Sequence, residues 1–291
     1  MPVKNSAQEE WESILHFIHT RPCRVMYVMG ATDRGKSTFC RYLARKLFSC
    51  GRVGYLDCDT GQSSIGPPTT VGLALYRDSP QAPDEVFLRF VGSMSPVGHT
   101  LQQVVATARL RDKAGAEGTD YLIIDSPGWV MESAAQEFHI RMIDLIQPDL
   151  IVAIQSGQEL EGILINFRRH PGMEIRRVPV SPKVVERRRG WRKLYRTTQY
   201  KKYFSDLRTH TLALPGIGVH GRMPDTFRDE EWQNLVIALC DPEMMVICLG
   251  IVERLDIKEG TITFRAPVFD PDQVASLHIG SIRIDLQEEA D

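Results

Sequence analysis

At 291 residues the chain is long enough for one large α/β domain, or for a domain with a smaller companion, and its ordinary composition excludes extended disorder. Its 35 basic and 37 acidic residues leave a formal charge of −2, so any grip on nucleic acid must come from a local basic surface. The six cysteines are scattered without a Cys-x-x-Cys pair, which argues against a zinc knuckle or a disulfide framework and fits the reducing cytoplasm. With no apolar signal core and no apolar run of the roughly 18 residues a span requires, no membrane is expected as a partner.

Residues 11–19 read as a short amphipathic helix. The compact apolar run 23–29 has the form of a buried parallel strand, and 37–49 then shows helical spacing, with Phe39, Tyr42, Leu43 and Leu47 on one face. A second strand is expected over 52–56, a third over 86–91, a helix over 100–112, a strand over 121–124, a helix over 133–146 and a strand over 150–154. This alternation predicts an α/β fold of the P-loop type, a mainly parallel sheet with helices on both faces. After position 170 the pattern changes. A basic helix is expected over 183–204, and short strand-like runs follow at 209–214, 244–252, 261–264 and 279–284. The expected organisation is a P-loop domain over 1–205, carrying the arginine-rich lid, and a small β-rich domain over 206–291.

Gly30-Ala31-Thr32-Asp33-Arg34-Gly35-Lys36-Ser37-Thr38 is the strongest signal in the chain. Its glycines let successive backbone N–H groups curl around phosphate oxygens, while the helix that follows points its N-terminus at the same anion. Lys36 would reach the β- and γ-phosphates and the Ser37 hydroxyl would ligate Mg²⁺. Asp57-Cys58-Asp59 ends the second strand, where ligands of such sheets bind. One carboxylate could accept the proton of an attacking hydroxyl while the other holds the metal's water shell. The bland reading is that both aspartates cap a turn.

Asp125 ends another buried strand and has the form of the second metal-binding element of P-loop enzymes. Trp129, just past a Pro-Gly turn, could stack on a base or sugar or could instead fill the core. Arg188, Arg192 and Arg196 stand at i, i+4 and i+8, one face of the expected basic helix. Like charges so placed repel unless an anion satisfies them. No Asn-Lys-x-Asp or Thr-Lys-x-Asp element and no protein-kinase signature is present.

Together these motifs resemble the Clp1/Grc3 (Nol9) family of polynucleotide 5′-hydroxyl kinases. The resemblance lies in the Thr32-Asp33 pair of the P-loop, Asp57-x-Asp59-x-Gly61-Gln62, Gly92-Ser93-x-Ser95-Pro96-x-Gly98-His99, Ser126-x-Gly128-Trp129 and the arginine-rich stretch ending in Tyr203-Phe204. The larger N-terminal β-domain of eukaryotic members has no counterpart in the twenty or so residues before the first strand, as in a minimal, prokaryotic-type form. The resemblance implies transfer of the γ-phosphate of ATP, or another nucleoside triphosphate, with Mg²⁺, to the 5′-hydroxyl of RNA or DNA. It makes Asp59 the general base with Gln62 beside it, and Arg192 and Arg196 the lid arginines, with Arg188 one helical turn away. It gives Ser126 and Trp129, with Gly128 between them, the terminal nucleotide; with Asp59 as base, the motifs leave Ser37, Asp57 and Asp125 as the expected metal residues. Two alternatives stand beside it: a nucleotide-bound scaffold in RNA processing without turnover, and a small-molecule or nucleoside kinase.

Overall fold

The computed structural model describes residues 7–224 and 228–285. Two compact units interleave along the chain. The first comprises Met1–Asp59, Gly72–Val86 and Gln103–Arg188, the second Thr60–Val71, Phe87–Gln102 and Arg189–Asp291.

A seven-stranded sheet is built from β1 (Val25–Met29), β2 (Val53–Asp57), β3 (Thr70–Tyr76), β4 (Glu85–Phe90), β5 (Tyr121–Asp125), β6 (Leu150–Gln155) and β7 (Glu174–Pro179). Its order is β4-β3-β2-β5-β1-β6-β7. The five strands from β2 to β7 in that order run parallel, whereas β3 is antiparallel to β2. Every residue of β2 and β6 is buried, the expected state of central strands covered on both faces and the reason they read as apolar runs up to the Asp57 and Gln155 that end them.

Helices α1 (Ala7–Thr20), α2 (Lys36–Leu47), α3 (Thr100–Ala116), α4 (Ser133–Ile146) and the single turn α5 (Glu161–Leu164) accompany the sheet. Helix α2 buries Phe39, Cys40, Leu43 and Leu47, an i, i+4, i+8 stripe. Each fully buried leucine is worth about 1.5–3 kcal/mol. That outweighs the weaker helix propensities of Ser37, Thr38, Phe39, Cys40 and Tyr42. Strands β3 and β7 fall where the sequence signalled none.

The second unit holds a six-stranded sheet of β8 (Arg208–Ala213), β9 (Gly218–Gly221), β10 (Leu235–Cys240), β11 (Val246–Asp256), β12 (Thr261–Ala266) and β13 (Ser276–Arg283), in the order β8-β12-β11-β10-β13-β9. All neighbours are antiparallel except β13 and β9. One face packs Trp232, Ile237, Leu239, Phe264 and Leu277 into a core, with Trp232 ending the short helix α7 (Asp229–Trp232). The opposite face, Val236, Ala238, Leu249 and Ile251, is covered by Tyr200 of α6 (Arg189–Tyr203) and by Phe204, the residue just after it.

Helix α6 begins six residues later than the expected basic helix. Residues 184–188 are irregular, so Arg188 precedes the helix and does not share a helical face with Arg192 and Arg196. The physical reason is a better offer for the backbone. The Arg187 N–H donates to Asp33 Oδ2 at 3.0 Å, Glu186 pairs with Arg34 at 3.4 Å, and Lys183 N–H turns back to Ser181 Oγ at 3.3 Å. Side-chain acceptors, whether close in sequence like Ser181 or distant like Asp33, compete with the helix for its backbone N–H groups.

Candidate active site

In the first unit the loop 30–37 joins the end of β1 to the start of α2. A Cβ on Gly30 would lie 2.5 Å from the Ile154 carbonyl oxygen of β6, so only glycine lets the loop leave the strand there. Gly35 (φ 90) and Asp33 (φ 57) both adopt the left-handed conformation, natural for glycine and tolerated by aspartate. Helix α2 opens with no side-chain cap and no acidic residue in its first turn, leaving its backbone N–H groups and positive dipole end to the loop. Lys36 is buried along the loop and donates from Nζ to the Ala31 carbonyl at 3.1 Å.

The Thr32-Asp33 pair now has a structural account. Thr32 donates its N–H (3.2 Å) and its hydroxyl (3.3 Å) to the Gly128 carbonyl, while Asp33 receives the Arg187 N–H. The uncommon pair therefore ties the P-loop to the turn after β5 on one side and to residues 184–188 on the other.

The carboxylates converge at the same end of the sheet. Asp57 of β2 is the register partner of Asp125 of β5, and Val28 of β1 is the partner of Asp125 on its other side. Both aspartates are essentially buried, at 2% and 1% exposure. Asp57 Oδ1 accepts the Asp59 N–H at 3.0 Å, which fixes the direction in which the half-buried Asp59 leaves the strand. Asp125 Oδ2 accepts the Tyr55 hydroxyl at 3.1 Å, whereas Oδ1, among the described residues, has no hydrogen-bond partner. Burial pushes the Asp125 carboxyl up; the Lys36 ammonium and Ser37 hydroxyl pull it down and Asp59 adds to the rise. A buried carboxylate oxygen left unsatisfied beside a lysine, a serine hydroxyl and another carboxylate suits an oxygen-seeking divalent cation.

The turn 126–129 is held at several points. Ser126 N–H donates to Val28 O at 3.1 Å, and its side chain is fully buried, so it supports the turn from within and does not line an open surface. Gly128 presses on Thr32, with a hypothetical Cβ only 2.8 Å from the Thr32 nitrogen. Trp129 is half-buried, its ring 6.1 Å from Phe138 in a tilted arrangement. It is neither a core tryptophan nor a fully exposed platform. Arg188 is exposed.

In the second unit Gln62 belongs to the segment Thr60–Val71, to which α6 is fastened. Tyr195 donates its hydroxyl to Ser63 O at 2.9 Å and Tyr200 to Pro68 O at 3.3 Å. Arg192 and Arg196 share one side of α6, and Trp191 stacks on Tyr195 with centroids 5.2 Å apart. The C-terminal end of α6 is anchored, because Tyr203 accepts the Leu249 N–H at 2.9 Å, while Trp191 and Leu194 near its start stand exposed.

Lys193, Arg196, Thr197 and Lys201 line a cavity of about 260 Å³ whose apolar side includes Met94 and Ile284. Arg283 also borders it but spends its guanidinium on the carbonyls of Glu230, Glu231 and Gln233 around α7. The loop 92–99 is pinned to β13 through the Gly92 carbonyl, which accepts the Ser281 N–H at 2.8 Å. Among the described residues no cluster of His, Cys, Asp or Glu forms a self-contained metal site, and no helix is long and apolar enough to cross a membrane.

A mainly parallel sheet whose first strand runs through a glycine loop into a helix, with aspartates ending the neighbouring strands, defines a P-loop nucleotide-binding protein. The profile described as mRNA cleavage and polyadenylation factor CLP1 P-loop matches residues 30–206, well over half of the chain. The chain belongs to that family. It is 26% identical to a polyribonucleotide 5′-hydroxyl-kinase of Pyrococcus furiosus, over 91% of this chain and 88% of that one. A polyribonucleotide 5′-hydroxyl-kinase of Methanocaldococcus jannaschii is 25% identical over the same shares. Human polyribonucleotide 5′-hydroxyl-kinase Clp1 is 31% identical over 64% of this chain and 46% of its own length. In structure the chain resembles Clp1p from the Clp1p–Pcf11p complex, with a TM-score of 0.74 at 13% identity, over 96% of this chain and 80% of that one. This likeness speaks for the fold.

Proposed function

We infer that this protein is a polynucleotide 5′-hydroxyl kinase, transferring the γ-phosphate of ATP to the 5′-hydroxyl end of RNA or DNA. The observation that carries the reading is the register of Val28, Asp125 and Asp57, which sets a phosphate-cradling loop and strand-end carboxylates at one end of the sheet's central strands. The names of the archaeal relatives supply the acceptor.

Residues 30–38 cradle the triphosphate and Lys36 neutralises its β- and γ-phosphates. Ser37, Asp57 and Asp125 would hold Mg²⁺, which when bound screens the phosphate charge; the Asp125 Oδ1, which has no hydrogen-bond partner among the described residues, supports that assignment. Asp59 takes the proton of the 5′-hydroxyl. The freed oxygen attacks the γ-phosphorus in line, the bond to the β,γ-bridging oxygen breaks with its electron pair, and ADP leaves. Gln62 and Trp129 orient the terminal nucleotide, with Ser126 and Gly128 shaping the turn that carries Trp129. Arg192 and Arg196 neutralise charge in the transition state, and Arg188, outside the helix, contributes to the basic surface that draws in the polynucleotide. That part of the reading rests on family likeness and on the density of cations in 183–202.

Residues 1–205 form the kinase domain in function and 206–291 the β-rich companion. A cytoplasmic location is supported by six cysteines that are all unpaired as disulfides, five of them buried.

The test is incubation with γ-labelled ATP and 5′-hydroxyl RNA and DNA oligonucleotides, beside Lys36→Ala and Asp59→Ala. Label is expected on the oligonucleotide with wild-type protein and is lost in both variants. A wild type that binds ATP and labels no oligonucleotide would overturn the kinase and leave the nucleotide-bound scaffold. Undiminished labelling by Asp59→Ala would remove the general base.

A further inference from the structure

A buried histidine outside every motif named so far contacts the turn that carries Trp129. His139, on α4, is fully buried. Its Nε2 lies 3.0 Å from the Trp129 carbonyl oxygen and its Nδ1 lies 2.8 Å from the Tyr27 hydroxyl. The ring also meets Phe138 edge-on at 5.2 Å, and Phe138 is the residue on which the Trp129 ring leans.

The chemistry of the two partners fixes the proton. A carbonyl oxygen can only accept, so Nε2 carries the hydrogen and donates it to Trp129 O. A neutral imidazole has one donor and one acceptor, so Nδ1 accepts from the Tyr27 hydroxyl. Burial agrees with both assignments, lowering the His139 imidazole to about 4 and raising the Tyr27 phenol well above its ordinary value. The relay thus runs from β1, three residues before Gly30, through one tautomer of His139 to the backbone of Trp129. Together with the Thr32 N–H on the Gly128 carbonyl, it holds both sides of the turn from the same strand-and-loop unit.

We propose that His139 is a positioning residue for the 5′-terminal nucleotide: by donating to the Trp129 carbonyl it orients the Trp129 ring as the platform for the terminal base. This deepens the kinase reading and rests on it. A side chain used only for packing would be replaceable by any ring of its size; one used for orientation would not.

The experiment compares two 5′-hydroxyl oligonucleotides, one with an intact terminal base and one abasic at the first position, in steady-state phosphoryl transfer. His139→Phe keeps a ring and removes both hydrogen bonds; His139→Gln retains a donor at the place of Nε2; Tyr27→Phe, a one-atom deletion, guards against a misfolded His139→Phe. Wild type is expected to favour the intact end. In His139→Phe the kcat/KM for the intact end is expected to fall on the order of fivefold to tenfold, the scale of one lost buried hydrogen bond, mainly through KM. The abasic end should change less than about twofold, ATP affinity should hold, and His139→Gln should restore most of the preference. Tyr27→Phe, which leaves the tautomer unfixed, should lie between.

Equal losses on both ends, or a Gln variant no better than Phe, would overturn the proposal in favour of a packing role. So would an unchanged preference in Tyr27→Phe and His139→Phe alike. Failure of the wild type to label either oligonucleotide would instead sink the kinase reading, a distinct outcome.

Discussion

Gly128→Ala is the sharpest test of how the P-loop is held. The added Cβ would lie 2.4 Å from Thr32 Oγ1 and 2.8 Å from both the Thr32 nitrogen and Cα. The hydroxyl can rotate away, but the backbone cannot. Restoring ordinary contact at 3.4 Å from 2.8 Å requires the loop and the turn to part by about 0.6 Å (3.4 − 2.8), at a cost of about 1–3 kcal/mol by analogy with overpacked cores. That shift also stretches the Thr32 N–H bond to the Gly128 carbonyl, now 3.2 Å, beyond useful length.

Because the displaced atoms belong to the phosphate cradle, stability and ATP affinity should fall together. Thermal melting should drop by a few degrees, at about 2–4 °C per kcal/mol, and the Kd for ATP should rise about tenfold or more. Differential scanning calorimetry and ATP titration measure both. Gly190→Ala is the control: an added Cβ there meets nothing within 4 Å, so neither quantity should suffer. If Gly128→Ala melts within a degree of wild type and binds ATP equally well, the tie between Thr32 and the turn is not what holds the loop.

Two further outcomes follow from buried charge. Asp125→Asn removes a buried carboxylate whose Oδ1 has no hydrogen-bond partner among the described residues, so the variant should gain about 1 kcal/mol of stability at neutral pH while losing phosphoryl transfer on the order of a hundredfold. A destabilised variant with intact activity would contradict the cation assignment. In the wild type the raised Asp125 carboxyl holds its proton to higher pH than the unfolded chain does, so its contribution to stability falls as pH rises past the ordinary carboxylate range.

His139 has the opposite effect. Held near 4 when folded and at 6.5 when unfolded, it makes stability fall as pH drops from 6.5 towards 4, by up to about 3 kcal/mol. His139→Gln should flatten that part of the stability–pH profile measured by urea unfolding. An unchanged slope would show that the imidazole charges in place.

What could be read from the sequence depended on how each element is buried. Strands β1, β5 and β6 were visible because both faces are covered and their positions are apolar up to the polar residues, Asp125 and Gln155, that end β5 and β6. Strand β7 was invisible for the converse reason: its sequence Glu-Ile-Arg-Arg-Val-Pro is an edge strand with only Val178 buried. The run 235–240 is apolar throughout, and periodicity alone cannot tell such a strand from a buried helix.

The basic stretch misled at its start, where Asp33 and Arg34, some 150 residues away, hold residues 184–188 out of the helix. The P-loop and strand-end aspartates were legible because phosphate chemistry dictates their spacing. His139 was not, because a lone histidine on a helix carries no local mark of the tyrosine and carbonyl that complete it.

The interleaving of the two units has a consequence for anyone who would take the protein apart. The backbone passes between them five times, after Asp59, Val71, Val86, Gln102 and Arg188. Neither unit can therefore be excised as one continuous piece of polypeptide. A truncation at residue 205 would leave Tyr200 of α6 and Phe204 just after it as an exposed apolar flank, stripped of the sheet face they cover. Two of the five passages fall directly after the proposed base and just before the lid helix. Because each unit is assembled from three separate stretches of sequence, expressing the chain as two fragments cut at any one passage should yield no active enzyme.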